Sequence, residues 1–158
     1  MMRIEPMKRN VLRFPMPKAP LAAALALTLV ACASTPNEAP QDGRRVLGVI
    51  GHHDDPVRVE APAEVARGTD FQVAVVTHGG GCVREGDTEV EVDGLRAVVS
   101  PYDIDVSGPG VFCTLELRMF RHTATLRFDR PGTATIVFRG RRAPEGDVIT
   151  IERTVRVR

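Results

Sequence analysis

The sequence is poor in aromatic residues and has no long apolar run. Its 158 residues include no tryptophan and one tyrosine. The most apolar stretch, "LAAALALTLVA" at 21–31, is eleven residues long, whereas a membrane-spanning helix needs about 20. No helix-length segment has an apolar period of 3.6 residues. The sequence therefore argues against a spanning helix and against an α-helical domain.

Residues 1–32 have the charge and length pattern of an export signal. Five basic side chains and one acidic side chain precede the apolar stretch, whose length suits the core of a signal peptide. The stretch ends in "LVAC" (29–32), which resembles the lipobox of bacterial lipoproteins. The resemblance implies that a diacylglycerol is attached to Cys32 and that residues 1–31 are removed. The alternative is a plain secretory peptide cleaved near "ACA" at 31–33.

The residues after the signal predict a tether and then a folded domain. Residues 33–45 contain two prolines and small polar side chains without an apolar period, which is typical of a flexible linker. The predicted organisation is a signal peptide at 1–31, a lipidated tether at 32–45 and a domain at 46–158. By resemblance to the enterobacterial sorting rule, Ala33 favours the periplasmic face of the outer membrane. The alternative is the outer leaflet of the plasma membrane.

The composition after Cys32 bears on partners. It includes sixteen arginines, nineteen acidic residues and no lysine. Nucleic-acid binding requires a basic patch, so we expect no nucleic-acid partner.

Two cysteines, Cys82 and Cys113, lie in the predicted domain. An even pair in an exported protein is usually bonded, so we expect a disulfide between them. It would close a loop of about 32 residues and contribute roughly 3.5 kcal/mol in the chain-entropy model.

From residue 46 onward, apolar side chains recur with a period of two, which is typical of β-strands. Such segments lie at 46–50, 57–61, 70–77, 88–100, 111–119, 123–128, 133–138 and 148–158. The alternation in 111–119 places Cys113 in the core or at its rim, and Arg153 predicts a bulge or an edge in the last segment. We expect an all-β, antiparallel sandwich of seven or eight strands with one disulfide.

The segment 88–100 contains the clearest local signal. Asp93-Gly94 suits a two-residue hairpin turn of the primed type. That turn places a row of apolar side chains toward the core and pairs Glu91 with Arg96 on the opposite face.

Three stretches resemble the immunoglobulin-like domains of bacterial surface proteins. They are "VEAPAEVARGTDFQVAVV", "FDRPGTATIVFRGRR" and "ITIERTVRV", and together they span roughly 57–158. The resemblance implies an immunoglobulin-like sandwich, and its motifs are structural.

The stretch "THGGGC" (77–82) resembles the oxyanion loop of some esterases. An esterase of that class also needs a Gly-x-Ser-x-Gly turn and an α/β sheet, and neither is visible. A phosphate loop lacks its Gly-Lys-Ser/Thr. We therefore interpret the three glycines as a positive-φ, closely packed turn that brings Cys82 to Cys113. His78 then ends a strand and is capped or solvated.

Two other stretches carry possible ligands. The segment "GHHDDP" (51–56) offers His52, His53, Asp54 and Asp55, which suit a metal ion if the segment is a loop. The stretch 100–110 carries Tyr102, and we interpret it as a connection between strands.

These observations favour a non-enzymatic, lipid-anchored envelope module without a cofactor. Such a module binds or assembles with an envelope protein through its loops. The alternatives are a periplasmic metal-binding protein that uses the His52–Asp55 segment and, more remotely, an esterase-like hydrolase.

Mass spectrometry of the native protein tests the lipid anchor. Because cleavage by the lipoprotein pathway would leave the acylated cysteine at the amino terminus, we expect Cys32 to be the first residue and to carry the acyl mass. Native protein that retains an unmodified 1–31 segment would contradict the lipobox interpretation.

Overall fold

A computed structural model of the chain describes residues 43–158, which form strands and no helix. The predicted signal peptide, Cys32 and nearly all of the predicted tether lie outside the described residues. The strands are β1 (Arg44–Leu47), β2 (Val49–His52), β3 (Val59–Glu60), β4 (Glu64–Val65), β5 (Phe71–Gly79), β6 (Val83–Asp93), β7 (Arg96–Asp105), β8 (Arg118–Leu126), β9 (Gly132–Ala143) and β10 (Val148–Val157). Within this range, no helix meets the length and apolarity that crossing a membrane requires.

The ten strands form one mixed sheet. Antiparallel pairs join β6 to β7, β5 to β8, β9 to β10, β1 to β7, β3 to β5 and β2 to β5. Parallel pairs join β7 to β9, β2 to β9 and β4 to β10. The all-β prediction is confirmed, whereas the expectation of purely antiparallel pairing is wrong. Each parallel pair joins segments that are distant in sequence, so no tight turn between the two strands could predict the pairing.

The first predicted strand, 46–50, is divided at Gly48. Before this residue β1 pairs with β7, and after it β2 pairs with β9 and β5. The Gly48 N–H donates to the Pro101 carbonyl at 2.8 Å. A Cβ at this position would lie 2.5 Å from Cγ2 of Thr77, which is closer than carbon atoms approach. Only glycine therefore lets the chain pass from one strand partner to the next here.

One core lies between two groups of strands, β5 with β8 and β7 with β9 and β10. Side chains of β5 and β8 pack against side chains of β7, β9 and β10. The largest buried ones include Phe128, Phe138, Ile50, Leu126 and Ile136. The apolar row expected on the inward face of 88–100 includes Ala97 and Val99, and both are buried in this core.

The predicted hairpin at 88–100 is present, but its turn lies one residue later. Asp93 pairs with Arg96, so Gly94 and Leu95 form the loop. Gly94 has φ +59°, as the first central position of a type II′ turn requires.

The later turn changes the cross-strand partners of β6 and β7 but not the face of the sheet to which each side chain belongs. Val92 opposes Ala97. Ala97 and Val99 are buried and Val90 packs against the core, whereas Val92, beside the turn, is 48% exposed. Glu91 opposes Val98, and the predicted Glu91–Arg96 pair is wrong. Pairing along β10 continues through Arg153 without a register break. Among the described residues, β10 pairs on its other side only at 156–157, so Arg153 marks an edge and not a bulge.

Candidate functional site

The candidate site is one end of the sheet, which we call the disulfide end. Strand registers bring five chain positions together there, because Gly79 pairs with Arg118, and Asp105 pairs with both Val83 and Arg44. The Cys82–Cys113 disulfide lies at this end with a Cα–Cα distance of 5.1 Å, which confirms the predicted bond. It joins the β5–β6 turn to the long connection between β7 and β8.

The three glycines at 79–81 differ from the prediction in one respect. None is among the described residues with positive φ, so that part of the interpretation is wrong. Close packing is the reason for two of them. A Cβ on Gly79 would lie 2.6 Å from Cβ of Val83, and one on Gly81 would lie 1.8 Å from Oγ1 of Thr114. Gly80 has no atom closer than the Glu116 carbonyl oxygen at 4.0 Å.

His78 lies inside the structure and not at its surface. It is 4% exposed and belongs to β5, which continues to Gly79. Its Nδ1 lies 3.3 Å from the carbonyl oxygen of Val49 and can donate to it. The expectation of a solvated side chain is therefore wrong, whereas a hydrogen-bonded one is found. The α/β fold that the esterase reading requires finds no support in residues 43–158, which form no helix.

The segment 111–119 is the main departure from the predicted fold. Residues 111–117 belong to no strand, and β8 begins at Arg118. The side chains predicted to face the core are exposed instead. They are Val111, Cys113, Leu115, Leu117 and Met119. Phe112 and Leu115 are exposed to 98% and 105% of their reference areas. The segment is therefore a surface feature, and Cys113 reaches Cys82 from outside the core.

Two open hollows flank this segment. The first is lined by Gly43, Arg44, Cys82, Val111 and Phe112 with neighbouring residues of β6 and β7. The second is the more apolar and is lined by Val49, His52, His78, Leu115 and Leu117 with adjacent residues. The exposed segment thus forms a shared wall, with the start of the described chain on one side of it.

The His52–Asp55 segment closes a turn after β2. His53 has φ +48°, and the His52 ring stacks on His78 with centroids 5.4 Å apart. In residues 43–158, no three His, Cys, Asp or Glu side chains are placed to hold a metal ion. The segment is a loop, as a metal site would need, but the arrangement supplies no ligand set, so metal binding stays a hypothesis.

A buried polar cluster escaped the sequence reasoning. It consists of Thr77, Thr88, Asp103 and His122, from β5, β6, β7 and β8. His122 Nε2 donates to Asp103 Oδ1 at 2.9 Å, and the Thr77 hydroxyl donates to the same oxygen at 3.1 Å. With the proton on Nε2, the Nδ1 of His122 accepts from the Thr88 hydroxyl at 3.3 Å. Side chains of Asp103 and His122 are 2% and 1% exposed.

The alternation of the strands contained the signal for this cluster. Thr77 follows Val73 and Val75 on one face of β5, and Asp103 follows Ala97 and Val99 on β7. His122 likewise precedes the inward-facing Ala124 and Leu126 on β8. Three apolar rows thus end on polar side chains at one end of the core. The interpretation of 100–110 as a connection between strands is wrong for residues 100–105, because β7 continues to Asp105. Asp103 was therefore not recognised as an inward-facing residue of a strand.

An acid, a base and a hydroxyl in line are the parts of a nucleophilic triad. In this cluster the line runs from Asp103 through His122 to the half-buried Thr88, whereas the buried Thr77 bonds the same carboxylate oxygen as His122. None of the four side chains lines either hollow. Every buried side-chain N or O atom in the described residues has a hydrogen-bond partner. The cluster's polar groups are therefore satisfied within it, and its evident role is to close the core.

Arginines on β1 attach the start of the domain to the sheet. The Arg45 guanidinium contacts both Asp87 carboxylate oxygens at 2.8 Å, and its central carbon lies 3.3 Å from the centre of the Tyr102 ring. Hydrogen bonding from Arg45 holds the pKa of Asp87 below its usual range. Hydrogen bonds from Ser107, with a smaller contribution from Arg44, likewise lower the pKa of Asp105. Both carboxylates are therefore well suited to stay ionised and paired at neutral pH.

Comparison of the chain with protein-family models, with curated proteins and with solved structures finds no match.

Gly81→Ala tests the close packing beneath the disulfide. The new Cβ would lie 2.8 Å from the Thr114 backbone nitrogen, so we expect a loss of about 1–3 kcal/mol in the free energy of unfolding. Gly80→Ala is the matched control and should change it by less than about 0.5 kcal/mol. Denaturant unfolding of the oxidised protein measures both, and equal losses would contradict the assignment.

Asp103→Ala tests the buried cluster. It leaves His122 Nε2 and the Thr77 hydroxyl without their shared acceptor, so we expect a loss of about 3–5 kcal/mol. Asp129→Ala removes an exposed ion pair with Arg127 and should cost less than about 1 kcal/mol. In a double-mutant cycle, Asp103→Leu with His122→Leu should cost less than the sum of the single changes. Additive losses would show that the two side chains do not act together.

Proposed function

We propose that this chain is a lipid-anchored, non-enzymatic module of a bacterial cell envelope that binds or assembles with another envelope protein. The Cys82–Cys113 disulfide carries the proposal. Stable disulfides belong to oxidising compartments and are rare in the cytosol. The basic and apolar leader with "LVAC" supports the same location and supplies an anchor at Cys32.

The proposed scaffold is an immunoglobulin-like sandwich. Its support is the single core between the β5–β8 pair and the β7, β9 and β10 strands, together with the stretches "VEAPAEVARGTDFQVAVV" and "FDRPGTATIVFRGRR". The parallel contacts of β9 with β7 and β2 depart from a purely antiparallel arrangement. A rigid scaffold of this kind presents loops at its two ends, and loops on rigid scaffolds carry recognition.

The proposed location is the periplasmic face of the outer membrane, with the outer leaflet of the plasma membrane as the alternative. Ala33 after the lipidated cysteine supports the first. The arginine-containing, slightly acidic chain after Cys32 supports a protein partner over nucleic acid, because it offers no net basic charge.

Crosslinking in native membranes, followed by purification of the chain, tests the partner. We expect the anchored chain to be crosslinked to a defined envelope protein. The amount of that protein recovered should fall severalfold with Cys32→Ser, because the unanchored chain is no longer held at the same membrane as its partner. Ser34→Ala is the matched control and should retain the partner. The absence of any captured protein from anchored and control forms alike would contradict the binding role.

A further inference from the structure

The exposed apolar side chains of 111–119 form the only concentrated apolar surface at the disulfide end among the described residues. Five of the seven large apolar side chains exposed in residues 43–158 lie in this segment: Val111, Phe112, Leu115, Leu117 and Met119. Apolar side chains exposed singly are ordinary on a protein surface, whereas five of them within the nine residues of one segment are a concentration typical of an interaction surface.

The segment is fixed to the sheet and not a loose connection. The disulfide joins Cys113 to Cys82 beneath it. The Gly81 N–H also donates to the Thr114 carbonyl at 3.2 Å, and Thr114 fills the space where a Cβ of Gly81 would lie. These inward contacts use Cys113 and Thr114, which leaves Phe112 and Leu115 directed to solvent. The fold therefore holds an apolar surface outward at a defined place.

The start of the described chain lies beside this surface. Gly43 and Arg44 line the same hollow as Val111 and Phe112, and Arg44 pairs with Asp105 at the end of β7. Ten residues separate Gly43 from Cys32, and the eleven Cα–Cα steps between the two span at most about 40 Å. A lipid on Cys32 therefore keeps the bilayer within reach of the segment.

We infer that the 111–119 segment rests in the interface of the bilayer to which Cys32 is anchored, so that the disulfide end faces the membrane. This inference rests on the proposed lipid anchor. Phe and Leu side chains are those that enter the boundary between headgroups and acyl chains. Arg44 and Arg118 flank them in surface ion pairs with Asp105 and Glu116, where arginines can reach lipid phosphates.

The bilayer accounts for the surface better than a second copy or a protein partner. An anchored domain always has the bilayer beside its point of attachment, whereas a protein must be supplied. The orientation also assigns the opposite end of the sheet to partner binding. That end carries the Gly94–Leu95 turn and the 127–131 loop, since Asp93 pairs with Arg96 and Phe71 pairs with Leu126.

The absence of tryptophan from the chain makes a direct test possible. Phe112→Trp introduces a single indole at a fully exposed position. Val92→Trp is the matched control, because Val92 is an exposed valine near the opposite end of the sheet. Each full chain is purified from native membranes and placed in vesicles of phosphatidylethanolamine and phosphatidylglycerol with brominated acyl chains. Vesicle flotation is measured on the same samples.

We expect the brominated chains to quench the fluorescence of the indole at position 112 roughly twofold or more, with a blue shift, and to leave the indole at position 92 unaffected. Leu115→Trp should behave like Phe112→Trp, and non-reducing peptide mapping confirms that each variant keeps its disulfide. Chains that float without quenching at position 112 overturn the membrane contact and leave the anchor intact. Protection from aqueous quenchers that depends on protein concentration would assign the surface to a second copy, and protection only with added envelope proteins to a protein partner. Chains that fail to float overturn both the anchor and the inference.

Discussion

The disulfide between Cys82 and Cys113 is the constraint on which the disulfide end depends. Residues 106–117 form no strand, so no sheet hydrogen bonding holds this connection over most of its length. The bond ties it to the β5–β6 turn, where Gly79 and Gly81 leave room for Val83 and Thr114. Together with the Gly81–Thr114 hydrogen bond, that tie gives the Phe112 and Leu115 side chains a defined position from which to meet another surface. In a domain of this size, a contribution of roughly 3.5 kcal/mol is also a large share of net stability.

The core and its polar end follow from a single alternation. Strands β5, β7 and β8 each direct every second side chain inward, and each inward row changes from apolar to polar at Thr77, Asp103 or His122. Because these rows end at the same level, the polar groups can satisfy one another without water. Burial of a carboxylate and an imidazole is tolerated only when both are hydrogen-bonded. The cluster thus ties the register of four strands to one set of hydrogen bonds.

The 111–119 segment shows why a pattern can predict a strand that does not form. The alternation indicates which side chains share a face. For β5 and β9 this also indicated which side chains are buried, because other strands cover those faces. Nothing in the segment itself states whether a second layer lies over that face. Here none of the described strands does, so the same pattern marks an exposed surface. The hairpin error has a similar origin, since Asp93-Gly94 and Gly94-Leu95 are both acceptable local turns, and the pairing of β6 and β7 along their whole lengths selects the second.

Local pattern by itself determined the all-β class, the inward faces of most strands and the bonded cysteine pair. The backbone pleat acts on neighbouring residues, and an even number of cysteines in the domain is a matter of composition. The tertiary structure alone decided the parallel contacts of β9, the division of the first strand at Gly48, the meeting of Asp103 with His122 and the exposure of Phe112 and Leu115. Each of these depends on which distant segments come together. That choice is made by packing the whole core at the cost of loop-closure entropy, and no short stretch of sequence contains both sides of the contact.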